Sequence, residues 1–237
     1  MRNHPFHTAI IAAGGNGSRM GSAQSKQTML LDGVPVVIHT LRAFAQSDQI
    51  DQIVIVAKKG EEDWYAPQLK KYGISKVAKI VTGGDTRQAS VLRGLKAVDD
   101  RTKYISIHDA ARCLITPAQI EAVARAAYRC RCAAAASRAK DTVKTADAHG
   151  RITGTVDRNT VWLAATPQTF QTELYRACAY TALERGITAT DDCMLAEAFG
   201  FSVQLVDCGW ENLKITTPED LVIAYAILQE RKGAAWS

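Results

Sequence analysis

The sequence predicts an α/β fold: a mostly parallel sheet with helices on both faces. Short β-branched or apolar runs alternate with helical segments from Thr8 to Arg129, the rhythm of repeated β-α-β units. The 237-residue chain is 47% hydrophobic and 22% charged, which is ordinary for a globular protein able to bury a sizeable core. No apolar run approaches the ~20 residues that a membrane span requires.

Thr8–Ala13 reads as the first strand, Pro35–Gln46 as a helix with apolar residues at helical spacing, and Gln52–Ala57 (QIVIVA) as the second strand. A helix over Glu61–Tyr72 follows, then a strand at Val77–Thr82 and a helix at Arg87–Val98. Lys103–Ile107 is a strand that runs into His108-Asp109, and a helix extends from Pro117 to about Arg129. Ligands on such Rossmann-like sheets bind beyond the carboxyl ends of the strands. Three loops leave those ends: Gly14–Lys26, Gly83–Asp85 and His108–Arg112.

The rhythm breaks at residues 141–157, where two short β-leaning runs flank Asp147-Ala-His-Gly150, a hairpin turn signal. Neither run has enough apolar side chains to bury itself, so this protruding β-hairpin arm is either a solvated flap or packs on something else. Helices at Gln171–Arg185 and Asp191–Phe199, a strand at Ser202–Val206 and a last helix from Pro218 restore the α/β pattern. No linker, repeat or low-complexity segment appears, and residues 1–237 read as one domain.

The six cysteines are scattered, and Cys130-x-Cys132 has no second pair, which argues against zinc and for reduced thiols. The N-terminal apolar stretch is too short for a signal segment and leads directly into glycines, as expected of a cytoplasmic enzyme. A net charge of +5, with the basic residues dispersed, argues against nucleic acid and permits a small polyanionic substrate.

The segment AIIAAGGNGSRMGSAQSKQ, Ala9 to Gln27, carries four glycines and two cations. A dinucleotide fingerprint needs G-x-G-x-x-G, but Met20 stands where the third glycine belongs. No acidic residue ends the second strand to meet a ribose. A P-loop needs glycine before its lysine and a hydroxyl after it, whereas Lys26 lies between Ser25 and Gln27. What remains is either a solvated surface turn or a glycine loop whose N–H groups face an anion, with Arg19 and Lys26 closing over a phosphate chain.

The pattern ending in Arg19-Met20, with Lys26-Gln27 beyond it, resembles the sugar-phosphate nucleotidyltransferases. It is followed in order by Gly83-Gly84-Asp85-x-Arg87-x-x-Ser90, His108-Asp109-Ala110-Ala111-Arg112 and Asp141-Thr142-Val143-Lys144. Thr155-Val156-Asp157-Arg158-Asn159, Thr166-Pro167-Gln168-x-Phe170, Thr190-Asp191-Asp192 and Asn212-Leu213-Lys214-Ile215-Thr216 complete the series. Together these blocks are similar to the 2-C-methyl-D-erythritol 4-phosphate cytidylyltransferases of non-mevalonate isoprenoid biosynthesis, over residues 8–230.

The resemblance implies that CTP lies over the first loop, bound by Ala12, Ala13, Gly14, Gly15, Gly17 and Ala110, with Gly84, Asp85 and Ser90 reading cytosine and ribose. Read without the family, Asp85 would be the N-cap of the next helix. Arg19, Lys26 and Lys214 are the implied catalytic cations, and Thr142, Arg158, Thr190, Arg112 and Lys214 would hold the polyol phosphate. Asp109 is suited to Mg²⁺ (another divalent cation would serve) or to an acceptor hydroxyl. His108 is expected to be structural, because the reaction needs no imidazole. The family's arm carries the Arg158 equivalent into the neighbouring subunit, implying a homodimer. Ribitol-5-phosphate cytidylyltransferase is the nearest rival, and a non-catalytic nucleotide-binding module is a rival of another class. Three positions depart from the family pattern: Ser25 and Cys113 replace prolines, and Glu211 replaces aspartate. They bring the rigidity of the loops into question and remove no charge that the chemistry uses.

Overall fold

A computed structural model describes residues 4–15, 25 and 27–233. Strand β1 (His7–Ala13) is followed by a miniature hairpin, β2 (Leu30–Leu31) with β3 (Val34–Pro35), and by helix α1 (Val36–Gln46). The hairpin turns on Asp32-Gly33, with φ of 53° and 74°, the doubly left-handed pair that Asp-Gly supplies. Next come β4 (Gln52–Ala57), α2 (Glu62–Lys71), β5 (Val77–Thr82), α3 (Arg87–Ala97), β6 (Tyr104–Asp109) and α4 (Pro117–Cys130). Strand β7 (Cys132–Arg138) precedes the arm, β8 (Val143–Ala146) and β9 (Ile152–Val156). Strand β10 (Trp162–Gln171), helices α5 (Thr172–Glu184) and α6 (Asp192–Ala198), strand β11 (Gln204–Asp207) and helix α7 (Pro218–Arg231) complete the described chain.

Seven strands form one sheet in the order β11-β7-β10-β6-β1-β4-β5. All neighbouring pairs are parallel except those of β10, which runs antiparallel to both β6 and β7. Because successive side chains of a strand point to opposite faces, β1 divides its apolar residues between two cores. Ile10 packs with Val91 and Leu95 of α3 on one face, and Ala9, Ile11 and Ala13 pack with α1 on the other. Among the described residues no helix is long and apolar enough to cross a membrane.

Strands β7 and β10 were not expected from the sequence. Helix α4 stops where Arg131 adopts a left-handed conformation at φ 72°, and the alanines of CAAAASR then continue as a strand. They are buried on both faces, where side chains no larger than methyl let α4 approach closely. Strand β10 absorbs Pro167 within a register shift between Ala164 and Gln168. The arm forms as expected, largely exposed, with its turn closed by the Asp147 carboxylate, which accepts from the N–H groups of His149 and Arg151.

Candidate active site

The carboxyl ends of β1, β4, β5 and β6 open onto a cavity of about 1040 Å³. Its walls hold Gly14 and Gly15 at the start of the first sequence-predicted loop, the second loop, Asp109, and Lys214 from the segment before α7. Backbone bonds fasten these loops to one another. The Gly83 N–H donates to Ala57 O at 2.7 Å, the Ala110 N–H to Ala12 O at 3.0 Å, and the Ile215 N–H to Ala111 O at 2.9 Å.

Asp109 ends β6 with its side chain nearly buried. The Arg87 Nε donates to its Oδ1 at 3.1 Å and the Lys214 Nζ to its Oδ2 at 2.7 Å, while the Arg112 Nε lies 3.9 Å from Oδ2. Burial opposes the charge, but Arg87 and Lys214, with Arg112 behind them, outweigh it and hold the carboxyl below the usual carboxylate range. Lys214 is fixed from its own side: the Thr216 hydroxyl donates to Lys214 O, and the N–H groups of Thr216 and Thr217 donate to Asp220 at the start of α7.

Several of the sequence blocks meet in a hydrogen-bond network behind Asp109. Its N–H donates to Thr166 Oγ1 at 3.0 Å; that hydroxyl donates to His108 Nδ1, and the His108 Nε2 donates to Arg112 O. Asn212 Nδ2 donates to Thr166 O, and Arg112 Nη1 donates back to Asn212 O. His108 is thus structural, as expected; burial lowers its pKa to about 3.

Ser90 clamps the glycine loop. Its hydroxyl accepts from the Gly84 N–H at 3.0 Å and donates to Gly84 O at 3.2 Å. A Cβ on Gly84 would lie 2.7 Å from Ala89 Cβ, so only glycine fits. The N-cap of α3 is Thr86, whose hydroxyl accepts from the Ala89 N–H, and not Asp85. Thr86 holds the extended backbone a cap needs, which leaves Asp85 exposed on the cavity wall.

Of the residues singled out from sequence, Ala12, Gly14, Gly15, Gly84, Asp85, Ser90, Asp109 and Lys214 line the cavity. Ala13 and Ala110 are fully buried just beneath, and Arg112 reaches the cavity through Asp109. Thr142, Arg158 and Thr190 are exposed and do not line it in the single chain. Gly17, Arg19 and Lys26 lie outside the described residues. Four lining cations were missed: Lys58 and Lys59 after β4, Arg87, and Arg93, whose Nη1 donates to Gly83 O at 2.8 Å. The first pair was legible as charge at the ligand-facing end of a parallel strand. Among the described residues no group of three carboxylate, histidine or cysteine side chains could cage a metal. The carboxylates available are Asp109 and Asp85.

The departures from pattern are accommodated. Cys113 is buried among Leu114, Ile215 and Val36 as an apolar residue. Ser25 donates its hydroxyl to Gln27 Oε1, and its carbonyl accepts from both the N–H and the hydroxyl of Thr28. Glu211 pairs with Arg231 on the surface.

A model of the family described as IspD: 2-C-methyl-D-erythritol 4-phosphate cytidylyltransferase matches residues 7–230. A Pelotomaculum thermopropionicum protein named 2-C-methyl-D-erythritol 4-phosphate cytidylyltransferase is 42% identical over 226 residues, 95% of each chain. One of the same name from Desulforamulus reducens is 42% identical over 224 residues, 94% of this chain and 96% of its own. The crystal structure of 4-diphosphocytidyl-2C-methyl-D-erythritol synthase from Anaerococcus prevotii superposes with a TM-score of 0.84 at 32% identity, covering 95% of this chain and 99% of that one.

Proposed function

This chain belongs to the 2-C-methyl-D-erythritol 4-phosphate cytidylyltransferase family, and on that premise we propose how it acts. It joins CTP and 2-C-methyl-D-erythritol 4-phosphate into 4-diphosphocytidyl-2-C-methyl-D-erythritol and releases pyrophosphate, a nucleotidyl transfer in non-mevalonate isoprenoid biosynthesis. The observation that carries the reading is the meeting of Asp109, Lys214 and Arg87 in the wall of one cavity with Gly14, Gly15, Gly83 and Gly84.

The acceptor's phosphate monoester has a second pKa near ~6 and is already mostly a dianion at neutral pH, so it needs no general base. One of its oxygens forms a bond to the α-phosphorus of CTP. The bond from that phosphorus to the bridging oxygen breaks, and pyrophosphate leaves with the electron pair. The barrier is the approach of two anions and the charge that gathers on the phosphate oxygens. Arg19, Lys26 and Lys214 supply the compensating charge. Gly84 offers bare backbone to the base, and Asp85 and Ser90 support that edge.

Mg²⁺ ordinarily binds through one or two carboxylates together with substrate phosphates, and Asp109, with Asp85 nearby, fits that donor set. Asp109 would hold the ion, which when bound neutralises phosphate charge. Thr142 and Arg158 flank the strands of the arm and Thr190 precedes α6; we assign all three to the acceptor in a homodimer, the arm of one protomer reaching its partner. The exposed Ile152 of the arm, 67% accessible in the single chain, supports that pairing. Small charged substrates and six unpaired cysteines support a cytoplasmic setting.

Pyrophosphate release from CTP is the test, with each polyol phosphate supplied in turn. Rapid release with methylerythritol phosphate alone is expected. Release with ribitol 5-phosphate instead would reassign the acceptor, and none with either would reduce the chain to a nucleotide-binding module.

A further inference from the structure

We propose that Arg87 is a positioning residue for this transfer: one planar guanidinium holds Asp109 and Asp192 together and so leaves a defined oxygen of Asp109 to Lys214. The proposal rests on the cytidylyl-transfer reading above.

Arg87 opens α3, directly after the Thr86 cap. Its Nε takes Oδ1 of Asp109 at 3.1 Å, and its Nη1 lies 2.7 Å from Oδ2 of Asp192. Lys214 is left with the other oxygen of Asp109, at 2.7 Å. The two oxygens of Asp109 therefore have different duties. A flexible ammonium could not reproduce this rigid fork.

The far anchor is immobile. Asp192 is 1% exposed; its Oδ1 accepts from the Tyr175 hydroxyl at 2.5 Å, and its N–H donates to Gln168 Oε1 at 2.9 Å. Tyr175 is itself buried against Phe170. On the near side, α3 is seated tightly on the sheet, because a Cβ at Gly94 would come within 2.5 Å of Ile10 Cγ2. Arg87 is thus held at both ends by groups that cannot drift.

The arrangement explains how Lys214 can serve a phosphate while it is paired in this structure. If Lys214 were the sole strong partner of Asp109, turning away would strand a buried carboxylate, which is strongly unfavourable. Arg87 remains on Oδ1 throughout, so Lys214 can exchange Asp109 for substrate without leaving that charge bare. Arg87 also neutralises the buried Asp192, and this second duty would confuse a simple deletion: Arg87→Gln alone leaves Asp192 uncompensated and can unfold the chain.

The test is therefore the pair Arg87→Gln with Asp192→Asn, beside Asp192→Asn alone, each followed by melting temperature and by kcat and KM for CTP in the full-length enzyme. Asp192→Asn keeps an oxygen for Tyr175 but gives up the anion that anchors Arg87, which still holds Asp109, so it should lower kcat only in part, and its own kcat is the reference for the double variant. The double variant should melt with Asp192→Asn yet lose kcat by about 10- to 100-fold, the range for misplaced catalytic groups, with KM for CTP nearly unchanged. A double variant as active as Asp192→Asn would reduce Arg87 to a counter-ion and overturn the proposal. Should the double variant fail to fold, Arg87→Lys decides: normal melting with depressed kcat supports the fork, and wild-type kcat overturns it. An inactive wild-type enzyme would instead overturn the function reading itself, which separates the two failures.

Discussion

Asp109 and the histidine beside it show how single residues hold charge at this site in opposite ways. Asp109 stays ionised in a buried position because three cations surround it, whereas His108 stays neutral because burial disfavours the charged ring. His7 is a second case, buried between Tyr128 and Ser106. Burial, aided by His4, lowers its pKa to about 3, as burial does for His108, from 6.5. The unfolded chain takes up both protons near pH ~6.5 and the folded chain only near pH ~3, so stability is full above ~6.5 and declines as the pH falls towards ~3. At roughly 1.4 kcal/mol per pH unit for each group, the chain should be about 2 to 3 kcal/mol less stable at pH ~5.5 than at pH ~7.5. Urea midpoints across that range check this. A flat profile would mean that the rings are charged or solvated in the folded chain.

At the scale of elements, the sequence was most readable where its pattern and its neighbours agree. Strands β1, β4 and β5 and helices α1 to α4 lie within a residue or two of their expected bounds. Strand β6 ends at Asp109, as expected, and begins one residue later, at Tyr104. Strand β7 was hidden because alanine is the strongest helix former and only the packed sheet makes CAAAASR a strand. Strand β10 was hidden because a proline ordinarily demotes a run to an edge, yet Pro167 sits in a central strand at a local irregularity. That irregularity brings Thr166 to Asp109, a contact no spacing rule could indicate. The arm was readable as an element that cannot bury itself. Arg158 follows β9 at the base of the arm, where it donates to Lys140 O at 3.0 Å, and we assign it to the acceptor of a partner subunit. Arg158→Ala should therefore raise KM for the acceptor by about 10- to 100-fold, the worth of a charge-assisted hydrogen bond, with little change for CTP. Steady-state kinetics with each substrate varied in turn measure this. Unchanged acceptor kinetics would remove Arg158 from the site.

At the scale of the whole molecule, parallel topology gathers residues far apart in the chain. It brings the loops after β1, β5 and β6 to one edge of the sheet, where ligands bind on such folds. Asp109 and Lys214 were both legible as site residues through their motifs, but their 2.7 Å ion pair spans 105 positions and depends on α7 being fastened to the sheet through Ile215 and Ala111. Arg87 was legible as part of its motif but had no role there, because the bridge it makes between α3, β6 and α6 forms only in the assembled structure. The molecule thus brings Arg87 and Lys214 from separate elements to one buried carboxylate, Asp109. The central claim of the proposed function is that Lys214 stabilises the transition state of a phosphate-on-phosphate attack more than it binds CTP. Single-turnover transfer by Lys214→Ala, measured beside its equilibrium affinity for CTP, tests it most directly. The account predicts a loss of about 10²-fold in the transfer rate, as for removal of a donor aimed at developing charge, with CTP affinity changed by less than about threefold. An undiminished rate, or equal losses of rate and affinity, would contradict it.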